Sequence, residues 1–318
     1  MITSKKRVNS APRYAPLLLF AVMLFLPRFA STYYVALFTS VLAWIGLSVS
    51  WWFFSGTTKY VSLGSAAFFG VGVYVDAMLN RSVSFPVIVL LAAVICFVFA
   101  AFVGLVTLRL RGVYFAILTF GLSELLAGAI TFYEMRVTGT RGRFVPPMNV
   151  YYLVLAITFV IVVFVLLLRR TKLGLGLRMI GQSEEAAVHF GVNTTLYKVL
   201  GFAVSSMFMG LLGVAFAPRW GYIDSGIAFN TLYSFMPAIM TLFGGALTIY
   251  GPILGAVALS LMQEYLLTTL KDYFMIILGA IMILVILALP GGLTGWLVRR
   301  RAVKVDVRPQ RVTTGSAP

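Results

Sequence analysis

Charge is scarce in this chain, and acidic charge scarcest: 9 Asp and Glu stand against 25 Lys and Arg in 318 residues, with one His and one Cys. Charged residues make up 11% of the sequence, less than half the ~25% usual in soluble domains. That is too little water-facing chemistry to cover a soluble protein whose residues are 61% hydrophobic. Cys96, alone in an apolar run, excludes an internal disulfide framework. One His and one Cys cannot build a zinc site from those residue types. A G-x-x-x-x-G-K-[ST] phosphate loop is absent, and with it a Walker-type ATP site. So are H-E-x-x-H and the serine nucleophile elbow, which leaves no recognisable hydrolase centre. The formal charge of +16 would point to nucleic acid in a soluble protein. Here the basic residues sit in short segments between apolar runs, the pattern that orients a membrane protein.

What the chain has is long apolar runs and a mean hydropathy of +0.99. About 20 apolar residues cross a bilayer core. Candidate spans are 15–29, 33–54, 60–79, 85–108, 113–131, 150–168, 198–217, 231–249, 252–270 and 273–290. Tyr151 to Leu168 is the clearest, without a single charge. The stretches 60–79, 231–249 and 252–270 are glycine-rich and suit broken or re-entrant helices, which are tolerated where protein or water surrounds them. Lys5, Lys6, Arg7 and Arg13, followed by Ala15 to Leu26 and Ala30-Ser31, fit a signal peptide loosely. A retained first helix started by Pro16 fits better, because many spans follow.

With ten spans and the N-terminus inside, 18 of the 25 Lys and Arg fall on the inner side and 7 on the outer. Positive charge accumulates inside, so both termini are expected to face the cytoplasm. The expected fold is all-α: a polytopic transmembrane bundle of about ten helices over residues 15–298, between a cytoplasmic tail 1–14 and a basic tail 299–318 expected to lack fixed structure.

Residues 169–197 form the longest inner connection, and they are not a plain linker. Ser183 is a good N-cap, Glu184 and Glu185 follow where negative charge favours a helix start, and Gly191 is a natural stop. Ala186 to Phe190 continue a helix of about two turns, and Asn193 or Thr194 can cap the next span. This is either a surface connector or a docking helix for a cytoplasmic partner.

The run Glu185-Ala186-Ala187-Val188-His189-Phe190-Gly191 resembles the E-A-A-x-x-x-G loop of bacterial ABC importer permeases. Over about residues 30 to 300 the chain is similar to LivM-type permeases of branched-chain amino-acid importers. Val61 to Tyr74 resembles their S-L-G-H-A-A-F-F-G-x-G-x-Y run, and Leu110 to Gly121 with Glu124 resembles L-R-G-x-Y-x-A-I-x-T-L-G…E. Gly174 to Asn193, with Arg178 and the Gly-Val-Asn ending, resembles the coupling segment. Phe243-Gly244-Gly245 with Tyr250 to Ala256, and Pro290 to Gly295, resemble the two remaining motifs. Departures are Ser65 for a usual histidine, Gly181 for a commonly charged residue, and Arg141 and Arg143 in an outer loop where the family often has an acid.

The resemblance implies a transport subunit, not an enzyme, carrying no cofactor itself. ATP and Mg would be bound by two cytoplasmic ATPase chains; the other partners would be a second, LivH-like permease and an extracytoplasmic solute-binding protein. The cargo would be a branched-chain amino acid or another small polar solute such as urea or an amide. Expected at the ATPase face are Arg178, Ser183, Glu184, Glu185, Ala186, Ala187, Gly191 and Asn193. Candidates for the pathway or a helix interface are Gly64, Ser65, Phe69, Gly72, Tyr74, Asp76, Tyr114, Thr119, Glu124, Gly244, Gly245 and Glu264. The intramembrane acids Asp76, Glu124 and Glu264 would each cost about 2.5–3.5 kcal/mol facing lipid, and interhelical hydrogen bonds are their simplest role. Glycine clusters serve close helix packing or a broken helix beside a pathway. Trp51, Trp52, Tyr60, Tyr151 and Tyr152 mark span ends and are expected as an interfacial belt, and Met207, Met209 and Met236 as packing. A stand-alone secondary transporter or channel is the alternative, and it needs no docking helix; a membrane-embedded enzyme ranks last for want of a polar cluster.

Overall fold

The computed structural model describes residues 23–270 and, beyond them, residues 273, 276, 277, 279, 280, 292 and 294. Both tails, most of the first and last candidate spans and most of the Pro290–Gly295 motif lie outside the described residues.

Eleven α-helices lie wholly within the described residues: α1 (Thr32–Trp51), α2 (Ser65–Leu79), α3 (Phe85–Thr107), α4 (Val113–Tyr133), α5 (Tyr151–Leu168), α6 (Lys172–Gln182), α7 (Glu184–His189), α8 (Thr194–Phe216), α9 (Ser225–Ala228), α10 (Leu232–Gly244) and α11 (Tyr250–Thr269). A two-residue pair, β1 (Arg143–Phe144) against β2 (Tyr222–Ile223), is antiparallel with Arg143 opposite Ile223. The molecule is a helical membrane bundle, and among the described residues six segments are long and apolar enough to cross a bilayer.

Two of the three glycine-rich spans, 60–79 and 231–249, are interrupted, whereas 252–270 is corrected: it lies almost wholly within the continuous helix α11, where Gly251 and Gly255 serve close packing against α10. Residues 59–64 are not helical, so α2 starts at Ser65 and has only 15 residues. The segment ahead of it is held by neighbours: Trp51 Nε1 donates to the Ser62 carbonyl at 2.7 Å, and Leu63 N donates to Thr119 Oγ1 at 3.0 Å. That accounting is necessary, because unpaired backbone at membrane depth is expensive. Between α10 and α11 the chain turns at Gly245, whose φ of 102° only glycine adopts readily.

α1 and α8 form the centre. Buried hydroxyls tie helices to backbone carbonyls of α1: Thr158 to Leu42 at 3.1 Å, Thr241 to Ser48 at 3.2 Å, and Ser205 to Ser50 at 2.7 Å. α2 lies directly on α8, since a Cβ at Gly72 would collide with the Gly210 carbonyl and one at Gly213 with the Phe69 carbonyl. Without a hydrophobic drive between helices in lipid, such close approach of small residues supplies the packing.

Two further expectations are corrected. The 169–197 connection holds two helices: α6, an amphipathic helix, precedes the short α7. Trp51, Trp52 and Tyr151 are core residues, each 2% exposed or less, rather than an interfacial belt. Their polar tips find carbonyls inside the protein, Trp52 Nε1 to Ala246 at 2.6 Å and Tyr151 OH to Met23 at 2.5 Å, so the amphipathic rings need no water.

Candidate functional site

The loop helix α7 forms as its residues dictate. Ser183 Oγ accepts from Ala186 N at 3.2 Å, and Gly191, with φ of 79°, ends it. Asn193 Oδ1 then accepts from Leu196 N at 3.1 Å and starts α8.

The two adjacent glutamates face opposite ways. Glu184 points into the bundle, where Lys198 Nζ donates to its Oε1 at 2.6 Å and Tyr60 OH to its Oε2 at 2.7 Å. Lys198 Nζ also reaches Tyr60 OH at 3.2 Å and the Leu108 carbonyl at 3.4 Å, and lies 4.7 Å from the Tyr60 ring centre. Exposed Arg111 adds a longer ion pair to Glu184 at 3.8 Å. The node therefore joins α7 to the start of α8, to the segment before α2 and to the turn between α3 and α4. Burial pushes the Glu184 carboxyl up, but the hydrogen bonds from Lys198 and Tyr60, aided by the Lys198 and Arg111 charges, win and hold it below the usual range. Burial and the Glu184 hydrogen bond raise the Tyr60 hydroxyl against the opposing effect of Lys198.

Glu185 is exposed, as are Ala186, His189 and Gly191, while Ala187 packs inward. Val188 and Phe190 are 54% and 78% exposed, an apolar pair on a polar rim. Arg178, on α6, is half-buried. Gly181 sits where a Cβ would strike the Thr57 carbonyl, so α6 approaches the end of the first helical segment too closely for any side chain.

The remaining candidates fall in separate places. Gly64 and Thr119 meet, a Cβ at Gly64 lying 3.1 Å from the Thr119 carbonyl. Ser65 is buried with its hydroxyl unpaired among the described residues. Gly244, Gly251 and Gly255 pack backbone to backbone, joining α10 to α11 beside Gly245. Asp76 is fully buried and accepts from Asn80 Nδ2 at 3.2 and 3.3 Å. Glu264 accepts from Tyr33 OH at 2.7 Å. Glu124 lies on the exposed face of α4, 3.5 Å from Thr231 Oγ1, and Tyr114 on the same helix is 73% exposed. Gly121 and Gly128, which flank Glu124, leave open space where a Cβ would stand, with no described atom within 4 Å.

At the far end of the bundle from Lys198, Arg81, Arg141 and Arg143 border a cavity of about 560 Å³ with Tyr222 and Phe144. The sequence reading missed what positions this loop. Glu134 is 1% exposed, accepts from Tyr74 OH at 3.2 Å and from Gly142 N at 3.0 Å, and so pins the turn that carries the arginines. Tyr222 OH donates to the Arg141 carbonyl. The one signal in the sequence was an acid placed at the end of an apolar span. Among the described residues no three His, Cys, Asp or Glu side chains gather as a metal set.

The loop helix is thus anchored from within and bare on its outer face. Among known proteins the chain is similar to LivM, the high-affinity branched-chain amino acid transport system permease protein, of Salmonella typhimurium, with 26% identity over 75% of this chain and 64% of that one. LivM of Escherichia coli gives 27% identity at the same coverages. The autoinducer 2 import system permease protein LsrC of Yersinia enterocolitica is 28% identical over 49% of this chain and 43% of its own length. The match thus spans just under two thirds of the LivM relatives. No solved structure matches the chain. Residues 33–286 match the family described as branched-chain amino acid transport system permease component, and the chain belongs to that family of multi-pass inner-membrane proteins.

Proposed function

We propose that this chain is the membrane-spanning subunit of an ATP-driven importer for a small solute, coupled to separate ATPase subunits through α7. One observation carries this reading beyond family membership: Glu184 is tied to three parts of the bundle while Glu185, Val188 and Phe190 stand free. A helix built only as a connector needs no such division.

In this reading both termini face the cytoplasm, about ten helices span the membrane, and the bare face of α7 seats on an ATPase subunit. ATP and Mg are held there, not on this chain. ATP binding closes the ATPase pair and displaces α7, and the Glu184–Lys198 node passes the displacement to α8 and the segment before α2. A second permease chain covers the α4 face with Gly121, Glu124 and Gly128, because a carboxylate at the middle of a spanning helix is not left against lipid. The solute-binding protein meets the arginine end. The solute is a branched-chain amino acid, or a small polar relative of it; one relative is named for autoinducer 2 import, so the family alone does not decide.

The test is a mild-detergent pull-down of the tagged chain from native membranes, beside Glu185→Arg. ATPase subunits should accompany the wild type and be lost with the variant. Recovery with neither form would leave a stand-alone transporter, to be tested by ion-coupled flux.

A further inference from the structure

At the end of α8 remote from Lys198, the chain passes through Ala217–Arg219 into Trp220. A cavity of about 210 Å³ opens there between α1, α2, α8 and α10. Its walls are aromatic. Tyr233 stacks on Phe69 at 4.3 Å on one side and on Trp44 at 5.3 Å on the other. Trp220 meets the edges of Phe69 at 6.3 Å and Phe216 at 5.1 Å.

One charged side chain lines this cavity, Arg219. Its Nη1 donates to Ser40 Oγ at 2.7 Å and to the Ala36 carbonyl at 3.3 Å, and the guanidinium lies 5.1 Å from the Phe216 ring centre. Nε and Nη2 donate to no described residue, and Arg219 forms no ion pair among the described residues. Glu264 is engaged by Tyr33 and does not line the cavity.

A guanidinium fixed through one nitrogen, with the rest of its planar fork open, is matched to a carboxylate. Aromatic faces around it accept an apolar body, and Trp or Tyr faces also accept an ammonium group. A neutral solute such as urea has no anionic oxygens to engage that fork. The volume is below the ~300–1,000 Å³ of drug-sized sites, so the occupant is small. We propose that this cavity is a transit site for a small carboxylate-bearing solute with an apolar body, its carboxylate on Arg219 and its body between Trp44, Phe69 and Tyr233. The proposal rests on the permease reading and gives this chain a share in selectivity.

The site shares a helix with the coupling node. Twenty-three residues of α8, about 34 Å at 1.5 Å per residue, separate Lys198's end from Arg219's. Ser40, Trp44 and Tyr233 sit on other helices, so tilting α8 would draw the guanidinium from its aromatic box and release the solute.

The experiment uses the intact complex with its ATPase subunits in nanodiscs, without binding protein, and follows tryptophan fluorescence during titration. The probes are L-leucine, L-leucinamide, which has the same body but no carboxylate, and urea. Leucine should change the signal, leucinamide and urea should not, and replacing both cavity tryptophans, Trp44→Phe with Trp220→Phe, should remove the change. Arg219→Gln should weaken leucine about tenfold or more, with Arg219→Lys between, both variants being checked for retention of ATPase subunits. Equal responses to leucine and leucinamide, no response to leucine, a change that survives Trp44→Phe combined with Trp220→Phe, or unaltered affinity in Arg219→Gln would each overturn the site and leave the permease reading standing. Failure to recover ATPase subunits would overturn both.

Discussion

Lys198 Nζ and Glu184 Oε1 lie 2.6 Å apart, Lys198 in the first turns of α8 and Glu184 at the first residue of α7. The side chains are 6% and 17% exposed, so this pair is largely withdrawn from water, unlike a surface ion pair worth little. Its neighbour Glu185 has no such engagement, and the contrast yields a first prediction.

Glu184→Gln should retain ATPase subunits in a pull-down yet lower transport per ATP hydrolysed, because the seat survives and the link to α8 weakens. Local stability of α7 should fall by about 2–3 kcal/mol, since Lys198 is left buried beside a neutral partner. Glu185→Arg should do the reverse, losing the ATPase while α7 stays protected in hydrogen exchange. Identical behaviour of the two variants would remove the distinction between the helix faces.

The node also sets a pH window. Glu184 is held below its ordinary carboxyl range, so its contribution is full above the unfolded value of about 4.5 and disappears as pH falls through the lower folded value. Tyr60 is raised, so its contribution holds below about 10 and fades above it. Protection of the amides of residues 184–192, measured against their intrinsic exchange at each pH, should be high between these limits and fall outside both. Lys198→Met should abolish the acid limb.

Arg141 and Arg143 provide the third case. If they receive an acidic surface of the binding protein, reversing both to Glu should reduce uptake, and added salt should shrink the difference between wild type and variant. Because Glu134 pins this loop through Gly142, Glu134→Gln should give a milder loss with the same salt dependence. Uptake unchanged by the double reversal would exclude this docking face.

Glycines separate chain folding from assembly. Gly72→Ala should cost about 3 kcal/mol or more, because the obstacle is the Gly210 backbone and cannot turn aside. Gly121→Ala and Gly128→Ala have free space within the chain and should leave its folded yield unaltered. A defect in recovery of a second permease with these two, measured by co-purification, would place that partner on α4; normal recovery would place it elsewhere.

Local chemistry made much of this legible from the residues alone. The apolar runs gave the helices α1, α3, α4, α5 and α8 to within about four residues at each end, since a spanning helix must satisfy its own backbone. Ser183, Gly191 and Asn193 marked the ends of α7 and the start of α8, because caps act within four residues. α6 was missed: its glycines, among them Gly174, Gly176 and Gly181, look like a loop until Gly181 is seen against Thr57.

By itself, then, the sequence determined a basic, helix-built membrane protein with a structured loop at 169–197, because composition, hydropathy and capping depend on near neighbours. Only the tertiary structure decided which glutamate turns inward, since Tyr60 lies 124 positions from Glu184. The same holds for Trp51 and Trp52, whose ring nitrogens go to buried carbonyls rather than to an interface. It holds most of all for Arg219, an ordinary basic residue in the chain, which becomes the one charged residue lining an aromatic cavity once four helices converge beside it. Burial and pairing are properties of the packed bundle, and no local pattern encodes them.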